Sequence, residues 1–504
     1  MSTETPLAPV AVRVRRFAFA DSAARMAALA TLLSAAGMVE AFRLSALRNP
    51  DIWWHLRTGV WIMQSHALPR HALFSQYADL RWVDPGWAFD SLAALAYRFL
   101  GLQAIPGLLV IFRVAMAVVT FLLVRTQRAS FWWAVALSAI AQYVMVDLQP
   151  TGSALSILFF GLELMILLYS RRRGSMPPLL WMPLLFLLWA NLDNQFVVGL
   201  ALLGLLVAAE AIEHILGRAG VRQVSSTALP LGKVAAAAGC SVAATLVTPY
   251  GSRVLVEAVE YTYSKVLLSN LADMHPMAFR RPQDFVVALL AMAALFCLGR
   301  SRSLDLFKLL TMSAVLVLGF RVRRDTAFLV MAAVAVLADA LADQRHGSAL
   351  QNRGRGSWEK PLIAAMSLAA ITAAMIRVPK PELLNDAVRR VFPVKACDYI
   401  RANRLPAPLF NAYDWGGFLI WYLPEYPVAI DGRVSLYGNE GNERYFSVTT
   451  SVRRLQTEPV FTGARTVLLE RGSELAEALT RLPALRARYR VVYQDDIAVV
   501  LLRD

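Results

Sequence analysis

NPDIWWHLRTGVW (Asn49–Trp61) sets an acid, an imidazole, a guanidinium and three indoles directly after an apolar run, residues 22–44. Ionisable groups are costly in hydrocarbon, so a lipid-facing helix has no use for Asp51, His55 and Arg57. A water-facing surface has equally little use for Trp53, Trp54 and Trp61. Half-apolar, Trp-rich helices settle at the membrane–water interface instead. Asn49-Pro50-Asp51 reads as a helix start, and the pattern predicts a short amphipathic helix from Asp51 to Gln64, broken near Pro69. The stretch marks a chain that leaves the bilayer and lays chemical groups on its surface.

Composition agrees with that reading. The chain has 504 residues, 57% apolar and only 17% charged, with a mean hydropathy of +0.48. A soluble protein of this length carries more charge. A helix needs about 20 apolar residues to cross about 30 Å of hydrocarbon. Such runs recur near 22–44, 104–124, 130–148, 152–170, 177–192, 195–216, 233–248, 284–299, 304–320, 325–342 and 360–377. The first has basic flanks without a cleavage site and reads as an uncleaved span. The expected fold class is a polytopic α-helical membrane protein of about eleven spans with a C-terminal extracytoplasmic α/β domain. The three cysteines are far apart and build no disulfide framework.

The net charge of +15 does not point to nucleic acid, because much of it sits in short clusters between apolar runs, where it sets topology. With Arg13, Arg15 and Arg16 in the cytoplasm, alternation puts five further basic clusters inside: Arg125/Arg128, Arg171–Arg173, Arg218/Arg222/Lys233, Arg300/Arg302 and the tract Arg345–Lys360. The same parity puts outside a first loop (45–103), turns at Asp147 and Asp193, a segment with Asp273 and His275, and the chain from 378 on. One cluster breaks the rule. GFRVRRDTAF places Arg321, Arg323 and Arg324 at the outer ends of two spans. A bound phosphate or pyrophosphate accounts for them, as does snorkelling onto headgroups. Arg113 and Glu163 fall mid-span and are expected to pair.

Within the first loop, Asp51 and His55 are four residues apart and share a helix face. That spacing suits a general base held by an imidazole, two ligands of a divalent metal ion, or a capping aspartate beside an unrelated histidine. Asp84 lies in RWVDPGW, a Pro-Gly turn flanked by Trp82 and Trp87. Indoles beside carboxylates suit sugar binding, and they equally suit an interfacial aromatic belt.

The pattern D-x-W-W-H-x-x-x-G-x-x-I, then L-P-x-x-x-L-F-S, a Trp-rich turn and Y-x-x-x-G, resembles the first outer loop of bacterial GT-C superfamily membrane proteins. These include glycosyltransferases that use polyprenyl-phosphate sugars. The resemblance implies that Asp51 matches their catalytic acid, with two juxtamembrane helices following it. Ile52 stands where many relatives carry a second acid. LWANLDNQFVVGL (188–200), with Asp193, is similar to a family segment but lacks its His-Gly-Gly.

Residues 378–504 contain no further span and read as an extracytoplasmic α/β domain, distinct from the transmembrane domain 1–377. APLFNAYDWGGFLIWYLPEYPVAIDGRVSLYG reads strand, turn, helix, strand, turn, and RTVLLER, RYRVVYQ and DIAVVLLRD add three β-rich runs. YDWGG, with Asp414 and Trp415, weakly resembles the acceptor-contacting Trp-Trp-Asp-Tyr-Gly region of oligosaccharyltransferases. It also reads as punctuation, Asp414 capping the helix that follows. Asp431 and Arg433 sit at a strand end, where such domains expose their sites.

Two functions follow. One is inverting transfer of a sugar from a polyprenyl-phosphate donor to an envelope acceptor on the outer face of the bacterial cytoplasmic membrane. Asp51, His55 and Asp84 would serve the chemistry. Arg321, Arg323, Arg324, Trp54, Trp82, Trp87 and Asp193 would bind donor and lipid phosphate, and Asp414, Trp415, Asp431 and Arg433 the acceptor. The other is a non-catalytic protein of GT-C shape that binds, translocates or assembles lipid-linked material.

Overall fold

The computed structural model describes residues 9–219, 229–263, 274–301, 305–342 and 359–503. Arg222, Asp273, Arg302 and most of the tract from Arg345 lie outside the described residues. The helices are α1 (Pro9–Arg43), α2 (Asp51–Ser65), α3 (Trp87–Leu100), α4 (Ala104–Thr126), α5 (Phe131–Val144), α6 (Gly152–Arg173), α7 (Met182–Trp189), α8 (Phe196–Arg218), α9 (Leu231–Thr245) and α10 (Arg253–Tyr263). Helices Pro282–Arg300, Leu306–Arg321, Thr326–Ala340 and Glu359–Arg377 complete the bundle. Every apolar run of the sequence is therefore helical. Among the described residues, six helices are long and apolar enough to cross a membrane, Gly152–Arg173, Phe196–Arg218 and Pro282–Arg300 among them.

Helix Thr326–Ala340 is apolar on all sides and buried from Ala327 to Ala338, which makes it the axis of the bundle. α4 and α6 pack on it, Gly161 admitting the Met331 side chain. The expected Arg113–Glu163 pair does not form. Arg113 donates to Glu40 of α1 instead, Nε to Oε1 at 3.1 Å, and its remaining N–H groups hold the carbonyls of Gln142 and Val146 at the end of α5. Those orphan carbonyls need donors, and α1 supplies the countercharge closer at hand. Both Glu163 oxygens are buried without a hydrogen-bond partner.

α2 and α3 are the two expected helices of the first loop, and they cross closely because Gly59 of α2 lacks the Cβ that would strike the Asp90 carbonyl. α3 turns Leu92, Leu95, Phe99 and Leu100 outward, as an interfacial helix does. Asn49 starts α2: its Oδ1 accepts from the N–H groups of Asp51 and Ile52, both at 2.9 Å.

After Arg377 the chain builds a four-stranded sheet from β1 (Leu409–Asn411), β2 (Thr466–Glu470), β3 (Tyr489–Gln494) and β4 (Ala498–Arg503), in the order β1-β2-β4-β3. β1 and β2 are parallel, while β4 runs antiparallel to both β2 and β3. The second strand expected in this region, over PVAID, is not part of the sheet. Val428 exchanges backbone hydrogen bonds with Phe74 and Gln76 of the first loop, and the Asn411 side chain takes the backbone groups of Ala429 and Ile430. A strand in isolation becomes a strap tying the C-terminal region to the first loop.

That tie is reinforced at α2. Trp53 is buried edge-on against Phe392 and Phe418, with ring centroids 5.8 and 5.3 Å away. A Cβ at Gly417 would collide with the Pro50 carbonyl, and one at Gly416 with the Ile430 carbonyl. The two glycines of YDWGG are therefore packing residues. The helix they open, Gly416–Tyr422, has Trp415 and not Asp414 at its N-cap position.

Candidate functional site

The beginnings of α2, α6 and α8, the turn before Thr326 and the strap of the C-terminal region converge on one cavity of about 530 Å3. Of the side chains expected to act, Asp51, Trp54, His55, Trp82, Asp84, Asp193, Arg324, Asp414, Trp415 and Arg433 line it. These come from segments hundreds of residues apart. Four do not reach it directly, one of them Asp431, which is buried and paired with Arg433. Trp87 donates its Nε1 to Asn191 at 2.9 Å on another face of α3. Arg321 ends its helix exposed, and Arg323 turns to Asp147.

Asp51 stands at the mouth of α2, its Oδ1 accepting from Trp54 Nε1 at 3.3 Å. Gly432 closes over it, and any Cβ there would strike Asp51 Oδ1. The sequence offers His55 as the group that holds Asp51, but the contact it makes is with another acid. Its Nδ1 lies 2.5 Å from Oδ1 of the buried Asp90. Asp90 is the residue that sequence reasoning missed. Its signal is Gly59, one turn beyond His55 on the same face of α2. The missing side chain there brings α3 in, and the Asp90 carboxyl then reaches the imidazole. Trp54 stacks on the imidazole at 3.6 Å between centroids, and Phe89 meets it edge-on.

Burial pushes the His55 pKa down to about 4, against the raising influence of Asp51, Asp84 and Asp193. The ring is therefore neutral, and the direction of its Nδ1 hydrogen bond with the Asp90 carboxyl follows the tautomer. Asp84 is pushed well above the usual carboxylate range by burial and by Asp90 next to it. The Oδ2 atoms of Asp84 and Asp90 are buried with no hydrogen-bond partner in the protein. Asp193 is likewise raised by burial, its Oδ2 accepting from Ser156 at 2.5 Å and from the Gln195 N–H at 3.0 Å.

Arg433 is locked in place. It donates to Asp431 through Nε at 2.8 Å and Nη2 at 2.7 Å, Tyr437 donates to the same carboxylate at 2.5 Å, and its guanidinium lies 4.6 Å over the Trp82 ring. Burial alone would raise the Asp431 pKa, but Arg433 and the Tyr437 hydroxyl hold it below the usual range. Arg433 Nη1 is buried without an acceptor in the protein, while the residue borders the cavity. The faces that Trp54 and Trp82 were expected to offer a sugar are thus partly spent, one on His55 and the other on Arg433. Asp414 sits exposed at the rim and Trp415 is buried.

A divalent ion is one of three readings of the Asp51–His55 spacing. His55 Nδ1 is engaged with Asp90, and among the described residues no three His, Cys, Asp or Glu side chains are grouped to hold a metal.

No family model matches the sequence, and no curated protein matches it. The fold does match solved structures. The archaeal oligosaccharyltransferase AglB from Archaeoglobus fulgidus, in complex with an inhibitory peptide and a dolichol-phosphate, superposes with a TM-score of 0.52 at 12% identity, over 91% of this chain and 72% of that one. The apo form of the A. fulgidus enzyme gives 0.53 at 14% identity with the same coverage. ArnT from Cupriavidus metallidurans, bound to undecaprenyl phosphate, covers 94% and 97% at 14% identity, with a TM-score of 0.47. The chain shares the fold of the two A. fulgidus oligosaccharyltransferase structures.

Proposed function

We propose that this chain is a glycosyltransferase that moves a sugar from a polyprenyl-phosphate donor to a hydroxyl-bearing envelope acceptor at the outer face of the bacterial cytoplasmic membrane. The observation that carries the reading is the cavity itself. It gathers Asp51, His55, Asp84, Asp193, Arg324 and Arg433 at one end of an apolar bundle, in a fold shared with an enzyme solved with a dolichol-phosphate. In this reading the N-terminus lies inside, the region 378–504 is an outer domain, and the cavity opens to the outer leaflet.

Asp51 takes the proton of the acceptor hydroxyl. The acceptor oxygen bonds to the anomeric carbon from the face opposite the phosphate, and the carbon–oxygen bond to phosphate breaks with its electron pair leaving on the phosphate. Negative charge grows there, and Arg324 stabilises it. His55, oriented by Asp90, makes a hydrogen bond with the sugar or acceptor through Nε2. Arg433 offers its Nη1 to an acceptor oxygen, which gives the C-terminal region a part in acceptor choice.

The second reading is a non-catalytic, lipid-binding protein, favoured by Ile52 and by the cover that Gly432 lays over Asp51. Lipid-linked sugars extracted from membranes, incubated with the purified protein, separate the two. Release of free polyprenyl phosphate that Asp51→Asn abolishes supports transfer. Tight lipid binding with no release, in wild type and variant alike, supports the second reading and sinks the first.

A further inference from the structure

A second cavity of about 330 Å3 adjoins the first and shares Gln149, Ser153, Gln195 and Arg324 with it. Its apolar wall includes Val144, Met145, Leu148, Ile157, Val287 and Ala327, and its charged groups are Arg281, Arg323, Arg324, Asp147 and Asp284. It is therefore a groove with one apolar wall and three guanidinium groups, of which Arg324 also borders the main site. Arg281 had no sign of its own in the sequence. Its backbone is set by Asp284, whose Oδ2 accepts from the N–H groups of Arg280 and Arg281 at 3.2 and 3.3 Å.

A single carboxylate occupies the middle of this arrangement. Asp147 Oδ2 lies 2.5 Å from Arg281 Nη1 and 3.4 Å from Arg323 Nη2, and all three side chains are between a third and a half exposed. The turn that carries Asp147 is anchored independently, because Arg113 and Arg43 both donate to the Val146 carbonyl. Asp147 can thus swing away without unravelling α5. A phosphate presents more acceptor oxygens and more charge than a carboxylate, and guanidinium groups bind it through paired hydrogen bonds.

We propose that Asp147 is a built-in stand-in for the phosphate of the carrier lipid: it holds Arg281 and Arg323 until a polyprenyl monophosphate displaces it, with the isoprenes along the apolar wall of the groove and the phosphate facing Arg324. This rests on the donor-site reading above but not on turnover. Asp147 thereby lowers affinity for the spent carrier and favours its release.

The test is equilibrium binding of decaprenyl monophosphate to the purified full-length protein in detergent, with decaprenol, phosphatidylglycerol and inorganic phosphate as comparison ligands. Asp147→Asn should tighten decaprenyl monophosphate binding by about tenfold and Arg281→Ala should weaken it by about tenfold, since an exposed ion pair is weak and a guanidinium–phosphate contact strong. Asp147→Glu, which keeps the bridge, should bind like wild type. Weaker binding by Asp147→Asn would make Asp147 a structural partner and overturn the proposal. So would equal responses with phosphatidylglycerol, which would make the groove a headgroup site. Binding that follows the expected order in a protein without transfer activity leaves this inference standing and removes only the transferase reading.

Discussion

The two ends of the helix bundle hold similar numbers of charges and treat them in opposite ways. At one end Arg171 meets Glu210, Glu213 at 2.9 Å and Asp305 at 3.4 Å. Arg172 meets Asp339 at 2.9 Å, and Lys308 bridges Asp305 and Asp339 at 3.1 and 2.7 Å. These residues join the C-terminal ends of α6, α8 and helix Thr326–Ala340 to the start of helix Leu306–Arg321, and every acid named has a cation. At the other end, Asp84 and Asp90 keep oxygens without donors, and Arg433 keeps an N–H without an acceptor. A buried polar atom left unpaired is costly. The first end spends its charges on holding helices together, and the second keeps bonding capacity in reserve for a substrate.

That contrast can be broken most sharply at Asp51. Asp51→Asn should lower transfer by about 10^3-fold, the scale of a positioned proton acceptor, with thermal unfolding unchanged. A comparable loss of stability would put Asp51 with the structural charges. At the opposite end, Arg171→Met leaves Glu210 and Glu213 without a cation, while Asp305 keeps Lys308, and should cost about 3–5 kcal/mol of stability. The turnover of whatever protein survives should be unaltered, and a reduced rate in folded material would deny the division of labour between the ends.

Gly59→Ala tests how the site is assembled. The added methyl forces α2 and α3 apart and should cost about 1–3 kcal/mol, the usual penalty of overpacking. It should also lengthen the His55–Asp90 contact, visible as a shift of the imidazole nitrogen resonances. Asp90→Asn keeps the packing but not the charge, and should lower the rate about tenfold at unchanged substrate affinity. Full activity in that variant would make Asp90 a bystander.

The smallest effect is on pH dependence. The unfolded chain takes up a proton at His55 near pH 6.5, whereas burial keeps the folded imidazole neutral down to about 4. Between those values the unfolded state binds more protons, so stability falls as pH drops from 6.5 toward 4 and levels off below. Melting curves of wild type and His55→Gln should diverge across that window. Curves that stay parallel would mean the imidazole is solvated.

Much of this architecture can be read from residue order. The apolar runs, the amphipathic helix from Asp51 and all four strands of the sheet follow from local periodicity and punctuation, which depend only on near neighbours. The membrane class follows from hydrophobic length alone. The pairings do not. Arg113 chooses Glu40 over Glu163, the segment after Pro427 pairs with Phe74 and Gln76 instead of joining the sheet, and the YDWGG glycines serve packing against Pro50 and Ile430. His55 finds Asp90 because a glycine one turn away lets a second helix approach. Each of these depends on which surfaces meet, set by the crossing of helices distant in sequence and by the few places where a missing Cβ lets two backbones touch. The sequence by itself determined a helical membrane protein with acids, an imidazole and arginines at one bundle end. Only the tertiary structure decided which of them share a cavity and which are consumed in holding it.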